Sequence, residues 1–174
     1  MPIDINCDMG EGMDVLTLDK DEEILDYVTS INIACGYHAG NHTIMHRTVQ
    51  NAIRKNIRIG AHPGYPDLQG FGRRNMDVSA EEIYNMMVYQ VGALQAFVSV
   101  EKGILHHVKP HGALYNQSAN DIEKATAVVN AVYDLNPAYV LYCLAGSKIV
   151  HIAKEKGLQV YEEVFSDRHY NDDG

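Results

Sequence analysis

The residues able to do chemistry in this 174-residue chain fall into five short clusters. The first is Asn6-Cys7-Asp8-Met9-Gly10-Glu11. The second, after Asn32, is Cys35-Gly36-Tyr37-His38-Ala39-Gly40. The third is His62-Pro63-Gly64-Tyr65-Pro66-Asp67, the fourth Lys109-Pro110-His111-Gly112, and the fifth Ser166-Asp167-Arg168. A carboxylate beside an imidazole can activate water, and a cation can hold a developing oxyanion. Lys109 and Arg168 suit the second task. Asp8, His38, His62 and His111 are also residue types that bind zinc or another divalent cation. Their dispersed spacing matches no local metal motif, so acid–base work and metal binding both stay open. The pair Arg73-Arg74 reads either as a solvated loop pair or as a clamp for phosphate or carboxylate.

Other signals carry less. His42 and His46 stand four apart on a helix start that should face solvent. His106-His107 lie within a strand and should point to opposite sides, leaving at most one for a site. Ala145-Gly146-Ser147-Lys148 lacks the spacing of a P-loop. The acidic runs at 19–23 and 162–163 read as solvated or capping charge.

The elements that must position these clusters alternate along the chain. Short apolar runs predict strands at 3–7, 30–34, 58–61, 105–108, 139–144 and 159–165. Helical periodicity predicts helices between them. One spans 20–28, with Asp19 as N-cap and Glu22 three residues on. One spans 43–55, with Met45, Val49, Ala52 and Ile53 on one face. The longest starts after Ser79, which forms a capping box with Glu82. Its stripe is Ile83, Met87, Val91, Leu94 and Val98, so the neighbouring methionines Met86 and Met87 belong to a core. Another helix carries Ile122, Ala125, Val129 and Val132, and the last spans 147–156 and stops at Gly157. Six strands alternating with helices define parallel α/β architecture in one domain. In such folds ligands lie at the carboxyl ends of the strands, and the five clusters sit at those ends. Each residue alone reads as a cap or loop hydrogen-bonder, but five polar clusters in register point to one mouth. The irregular stretch 63–77 is long enough to be functional.

Composition excludes several classes. The chain is 46% hydrophobic and 21% charged, with a formal charge of −9. An acidic chain has no electrostatic reason to bind nucleic acid or an anionic membrane. No apolar run approaches the length of a membrane span, and the start at Met1-Pro2-Ile3-Asp4 is not a signal peptide. The expected location is the cytoplasm. Three cysteines, Cys7, Cys35 and Cys143, outside any CxxC, read as reduced and mostly buried thiols.

The blocks "DINCDMGEG", "SINIACGYHAG", "IGAHPGYPDLQGFGRR", "VYQVGAL", "HVKPHGALYN" and "EVFSDRHYNDDG" resemble, in order, the successive motifs of the LamB/YcsF family. They span nearly the whole chain. The resemblance implies a (β/α) barrel of the glycoside hydrolase/deacetylase type. It implies ATP-dependent 5-oxoprolinase activity, in which 5-oxoproline, ATP and water give glutamate, ADP and phosphate. It also implies that the chain acts with two partner subunits, B and C. Motif positions carried over are Asp8, Glu11, His38, His62, Lys109, His111, Asp167 and Arg168 as catalytic candidates, and Asp67, Arg73 and Arg74, with Asn6 beside them, as substrate or phosphate ligands. Asn41 and Ser166 depart from the family pattern, where an acidic residue and an alanine are expected.

A five-membered lactam is an unstrained amide, which explains the need for ATP to activate its carbonyl. In the scheme this suggests, one of Asp8, His38 or His62 activates water. Lys109 and Arg168 hold phosphate or oxyanion, and His111 protonates the leaving nitrogen. Two rival readings are a stand-alone metal-dependent deacetylase and a non-catalytic scaffold subunit. Family chains continue beyond "DDG", so residues 1–174 are expected to form a single barrel domain lacking its final strand and helix units, with exposed edges and low stability alone.

Overall fold

The computed structural model describes residues 3–12 and 22–169. Six strands pair in parallel in the order of the chain: β1 (Asn6–Met9), β2 (Ser30–Ala34), β3 (Arg58–His62), β4 (Leu105–Val108), β5 (Val140–Leu144) and β6 (Gln159–Glu163). The longer helices among the described residues are α1 (His42–Arg54), α2 (Ala80–Val100), α3 (Gly112–Asn120), α4 (Ile122–Leu135) and α5 (Lys148–Lys156). The sheet curls. Its outermost strands approach closely enough for Asn6 Nδ2 on β1 to donate to Glu163 Oε2 on β6, at 3.1 Å. No backbone pairing joins these two strands among the described residues, so the result is an incomplete α/β barrel.

Strand alternation divides the sheet into two chemically different faces. Ile31, Ile33, Ile59, Ala61, Leu141 and Cys143 point outward into the core beneath the helices. Asn6, Asp8, Asn32, His62, Lys109 and Glu163 meet one another on the concave side. The helices bury the predicted stripes: Ile83, Met87, Val91, Leu94 and Val98 of α2 are all inaccessible to solvent. Ser79 caps α2 reciprocally with Glu82 as its spacing predicts. Gly157, at φ 97°, closes α5 in the left-handed conformation that favours glycine. Asn41 accepts hydrogen bonds from the backbone of Thr43 and Ile44. It thus caps α1 as an acidic residue would.

Several expectations are corrected. The first strand is shifted to Asn6–Met9, because pairing of Asn6 with Ser30 sets its start, and Ile3 and Ile5 stay exposed. Ile53 and Ile122, placed on buried faces by periodicity, are partly or largely exposed near helix ends. Helix α3 was not legible. Its buried set, Ala113, Leu114, Tyr115, Ser118 and Ala119, has no apolar stripe. The N-cap expected at Asp19 lies outside the described residues, while residues 22–24 are helical. His106 and His107 do not point to opposite sides. The register between β3 and β4 shifts there, and both rings lie on the concave side. His107 stacks on Tyr142 at 4.0 Å, and His106 meets Tyr161 edge-on at 6.3 Å. An extra residue in one strand breaks period-two alternation.

Candidate active site

The concave face is built from the bottom by one layer of paired residues. Asp8 is opposite Asn32, Asn32 opposite Gly60, and Gly60 opposite His107. A Cβ on Gly60 would fall 2.0 Å from His107 Nε2, so only glycine leaves room for that ring. The ring crosses over Gly60 to place its Nε2 2.8 Å from Asn32 Oδ1. Burial holds the pKa of His107 well below the ordinary imidazole value, and a neutral ring that donates to Asn32 follows. Asn32 in turn donates to Asn6 Oδ1 at 2.7 Å and to Asp8 Oδ1 at 2.8 Å. A buried amide fixed in this way holds Asp8 in one orientation.

Above that layer, Lys109 reaches in from the end of β4. Its Nζ is 3.2 Å from Asp8 Oδ1, 3.1 Å from Asn6 Oδ1 and 3.4 Å from Glu163 Oε2. A buried ammonium requires such partners. Asp8 Oδ2 also lies 3.3 Å from His62 Nε2. Burial alone would raise the pKa of Asp8, but His62, Lys109 and Asn32 outweigh it and hold the carboxyl far below the usual carboxylate range. Asp8 is therefore an ionised carboxylate at any working pH.

His62 and His111 are oriented by the backbone. His62 Nδ1 donates to Lys109 O at 2.7 Å, and His111 Nε2 donates to Phe71 O at 2.7 Å. Their other nitrogens face each other at 3.0 Å. His38 is fully buried and stacks face to face on His111, with ring centroids 3.7 Å apart. Burial and the neighbouring imidazoles push the pKa of His111 down to about 3, and burial lowers that of His38. The neutral His111 offers a lone pair from Nδ1, not a proton, which counts against its expected role as acid. Glu11 Oε1 stands 3.4 Å from His38 Nε2 and 3.8 Å from His111 Nδ1. Glu11, His38, His62 and His111 each offer a ligand atom within 4.8 Å of the others, a set that could hold a metal ion. Asp8, expected in that set, is engaged by Lys109 and Asn32 instead, and Glu11 takes its place.

These groups border a cavity of about 240 Å³ lined by Asp8, His62, Arg73, Lys109, His111 and Arg168 among others. The long loop at 63–77 supplies Arg73 to the cavity and Phe71 O to His111. Arg74 does not join Arg73. It forms a bidentate pair with Asp67, whose Oδ1 also accepts from Gly70 N at 3.0 Å. Both residues therefore shape the loop and lie off the cavity. Asp167 is exposed and does not line the cavity, whereas Arg168 does, with its guanidinium 5.1 Å from the Phe165 ring. His38 is buried and does not line the cavity. His42 is exposed, and His46 pairs with Glu101 at 2.6 Å on the outer surface.

Sequence reasoning missed Asn32's bridging role, His107, Phe71 and Glu163. Glu163 was read as solvated charge, but its side chain is only 10% exposed and faces Lys109. Strand parity could have found it, since Glu163 and Tyr161 share a face of β6 opposite Glu162, which pairs outside with Lys154.

A half-closed parallel barrel with carboxylate, imidazole and cation at its carboxyl end is an α/β-barrel protein with its candidate site at the usual face of such barrels. The model of the LamB/YcsF family matches residues 3–174, and the chain belongs to that family. It is 57% identical over 172 residues to the A subunit of 5-oxoprolinase from Geobacillus thermodenitrificans, covering 99% of this chain and 67% of that one. It is 54% identical over 172 residues to the A subunit of 5-oxoprolinase from Clostridium kluyveri, covering 99% of this chain and 68% of that one. The crystal structure of a lactam utilization protein from Thermus thermophilus superposes with a TM-score of 0.93 at 44% identity, over 98% of this chain and 69% of that one. No helix among the described residues is long and apolar enough to cross a membrane.

Proposed function

We propose that this chain is the A subunit of an ATP-dependent 5-oxoprolinase, which opens 5-oxoproline to glutamate while ATP is hydrolysed to ADP and phosphate. The observation that carries the reading is the meeting of Asp8, His62 and Lys109 at the floor of a cavity whose rim bears Arg73 and Arg168. 5-Oxoproline offers a carboxylate and a lactam carbonyl. Arg73 and Arg168 suit the carboxylate or a phosphate, as bidentate guanidinium partners. Lys109 suits the oxyanion that forms when water adds to the carbonyl. Asp8 orients that water and takes its proton, which then passes to the leaving nitrogen, and His62, 3.3 Å from Asp8 Oδ2, holds the carboxylate in place. The similarity to proteins named as the A subunit of 5-oxoprolinase supports this substrate.

The chain carries no P-loop spacing, so we assign ATP to the partner subunits B and C or to their interface with this chain. Strand edges left open at β1 and β6 are compatible with further barrel units in the longer relatives.

The test is glutamate formation from 5-oxoproline by this chain's full-length form mixed with subunits B and C. Glutamate that requires ATP and all three components supports the reading. No glutamate from an assembled complex overturns it. A second reading, metal-dependent deacetylation of an N-acyl compound, is favoured by the Glu11, His38, His62 and His111 group. Acetate release without ATP distinguishes it.

A further inference from the structure

We propose that Glu11, His38, His62 and His111 form a binding site for one divalent cation of the zinc type, set beside the Asp8–Lys109 pair. The inference does not depend on which substrate the chain acts on.

The first argument is the proton count. Each neutral imidazole carries one N–H. His62 commits its N–H to Lys109 O and His111 commits its own to Phe71 O. With both rings neutral, as metal ligands are, the two nitrogens that remain, His62 Nε2 and His111 Nδ1, are lone-pair donors that face each other at 3.0 Å, and Asp8 Oδ2 lies 3.3 Å from the first. Two lone pairs at that distance repel unless something positive lies on or near the line between them. A carbonyl acceptor behind each ring fixes the tautomer and turns the free nitrogen toward the site, an arrangement typical of metal-bound histidine.

The second argument is His38. It is fully buried, its Nδ1 has no hydrogen-bond partner, and its Nε2 meets Glu11 Oε1 at 3.4 Å without hydrogen-bond geometry. Glu11 Oε1, aimed at the same point, also has no hydrogen-bond partner. A proton shared by His62 and His111, balanced by Asp8, would settle that pair. It would leave His38 and Glu11 unsatisfied, and a buried polar atom without a partner is costly. One cation gives a ligand atom of each of the four residues a partner at once.

The third argument is size. Zinc binds nitrogen and carboxylate oxygen at about 2.0–2.1 Å in tetrahedral geometry, which sets ligand-to-ligand separations of about 3.3–3.4 Å. The separations here are 3.0 Å for His62–His111, 3.4 Å for Glu11–His38 and 3.8 Å for Glu11–His111, and all four atoms lie within 4.8 Å. Three imidazoles and one carboxylate suit zinc, cobalt or nickel better than magnesium or calcium, which prefer oxygen ligands. The loop walls support the geometry. A Cβ on Gly64 would sit 2.8 Å from His38 Nδ1, so glycine at 64 leaves the room that the ring occupies.

The experiment is metal titration of the purified chain after dialysis against chelator. Mass spectrometry of the metal content after Zn2+ loading should give one ion per chain. Co2+ loading should give the visible absorption of a low-coordinate cobalt site. His38→Gln and Glu11→Gln, checked for folding by circular dichroism, should each weaken binding by about tenfold or more, the scale on which loss of a metal-site partner acts. Glu11→Gln guards against a His38 variant that fails to fold, since the Glu11 side chain is 26% exposed. Wild-type stoichiometry near zero, or binding unchanged in both variants, overturns the proposal. A metal-free protein whose nitrogen NMR spectrum shows His62 protonated on both nitrogens assigns the pair to a shared proton and also overturns it. None of these readouts uses turnover, so failure of the oxoprolinase reading would leave them intact.

Discussion

Lys109 Nζ, at the end of β4, lies 3.2 Å from Asp8 Oδ1 on β1. The two residues are 101 positions apart in the chain and three strands apart in the sheet. Only a curled sheet lets the side chain span that distance. The ion pair is therefore both the floor of the cavity and a direct report of barrel curvature.

Asp8→Asn should lower 5-oxoproline turnover in the assembled complex by about 10²–10⁴-fold, the usual contribution of a positioned acid–base group. The fold should survive, because Lys109 keeps Glu163 and Asn6 as partners. Lys109→Met should lose turnover similarly. Steady-state kinetics beside thermal melts check both, and an Asp8→Asn enzyme with full activity would remove Asp8 from the scheme.

Gly72→Ala should destabilise the chain and disturb the histidine cluster. Gly72 has φ 64°, where an L-residue costs roughly 1–2 kcal/mol. A Cβ there would also sit 2.8 Å from His38 Cβ and 2.9 Å from His111 Cδ2. Denaturant unfolding should show a loss above the conformational cost alone, and metal uptake should fall with it.

Asp67 predicts an acid-sensitive loop. Hydrogen bonds from Arg74, helped by Gly70 N, pull its pKa from 3.8 to about 2. A depressed carboxyl contributes stability that is present above the unfolded pKa and is lost as pH falls through the folded one. The wild type should therefore lose stability between about pH 4 and pH 2. Asp67→Asn should be less stable at neutral pH and flatter across that window. Unfolding midpoints measured at several pH values check the sign.

The thiols of Cys35 and Cys143 should be inert in the folded state. Burial raises the pKa of both Cys35 and Cys143 to about 12, and the reactive species is the thiolate. A disulfide reagent at about pH 8, near the ordinary thiol pKa, should leave both unmodified until denaturant is added. Rapid labelling of either in the native chain would contradict their burial.

Much of the molecule was legible in the sequence because periodicity is a local property. The stripe from Ile83 to Val98 and the Ser79–Glu82 capping box need only helix geometry to be read. Alternating strands and helices gave the parallel class, and polar clusters at strand ends gave the mouth. The family motifs added the barrel type. Most of the elements and most of the reactive residues could be named in advance, since both follow from spacing along one chain.

How those residues divide was settled by packing in three dimensions. Asp67 and Arg74, close in sequence to Arg73, turned away to close a loop on each other. Glu163, in an acidic run, turned inward because its strand parity matched the concave face. His106 and His107 came to one side because β4 shifts register against β3. Glu11, not Asp8, meets all three histidines, because Lys109, reaching across the curled sheet, holds Asp8 at the His62 side. None of these outcomes is encoded in local spacing. Each depends on which strands become neighbours, how far the sheet curls, and which buried charge finds its partner.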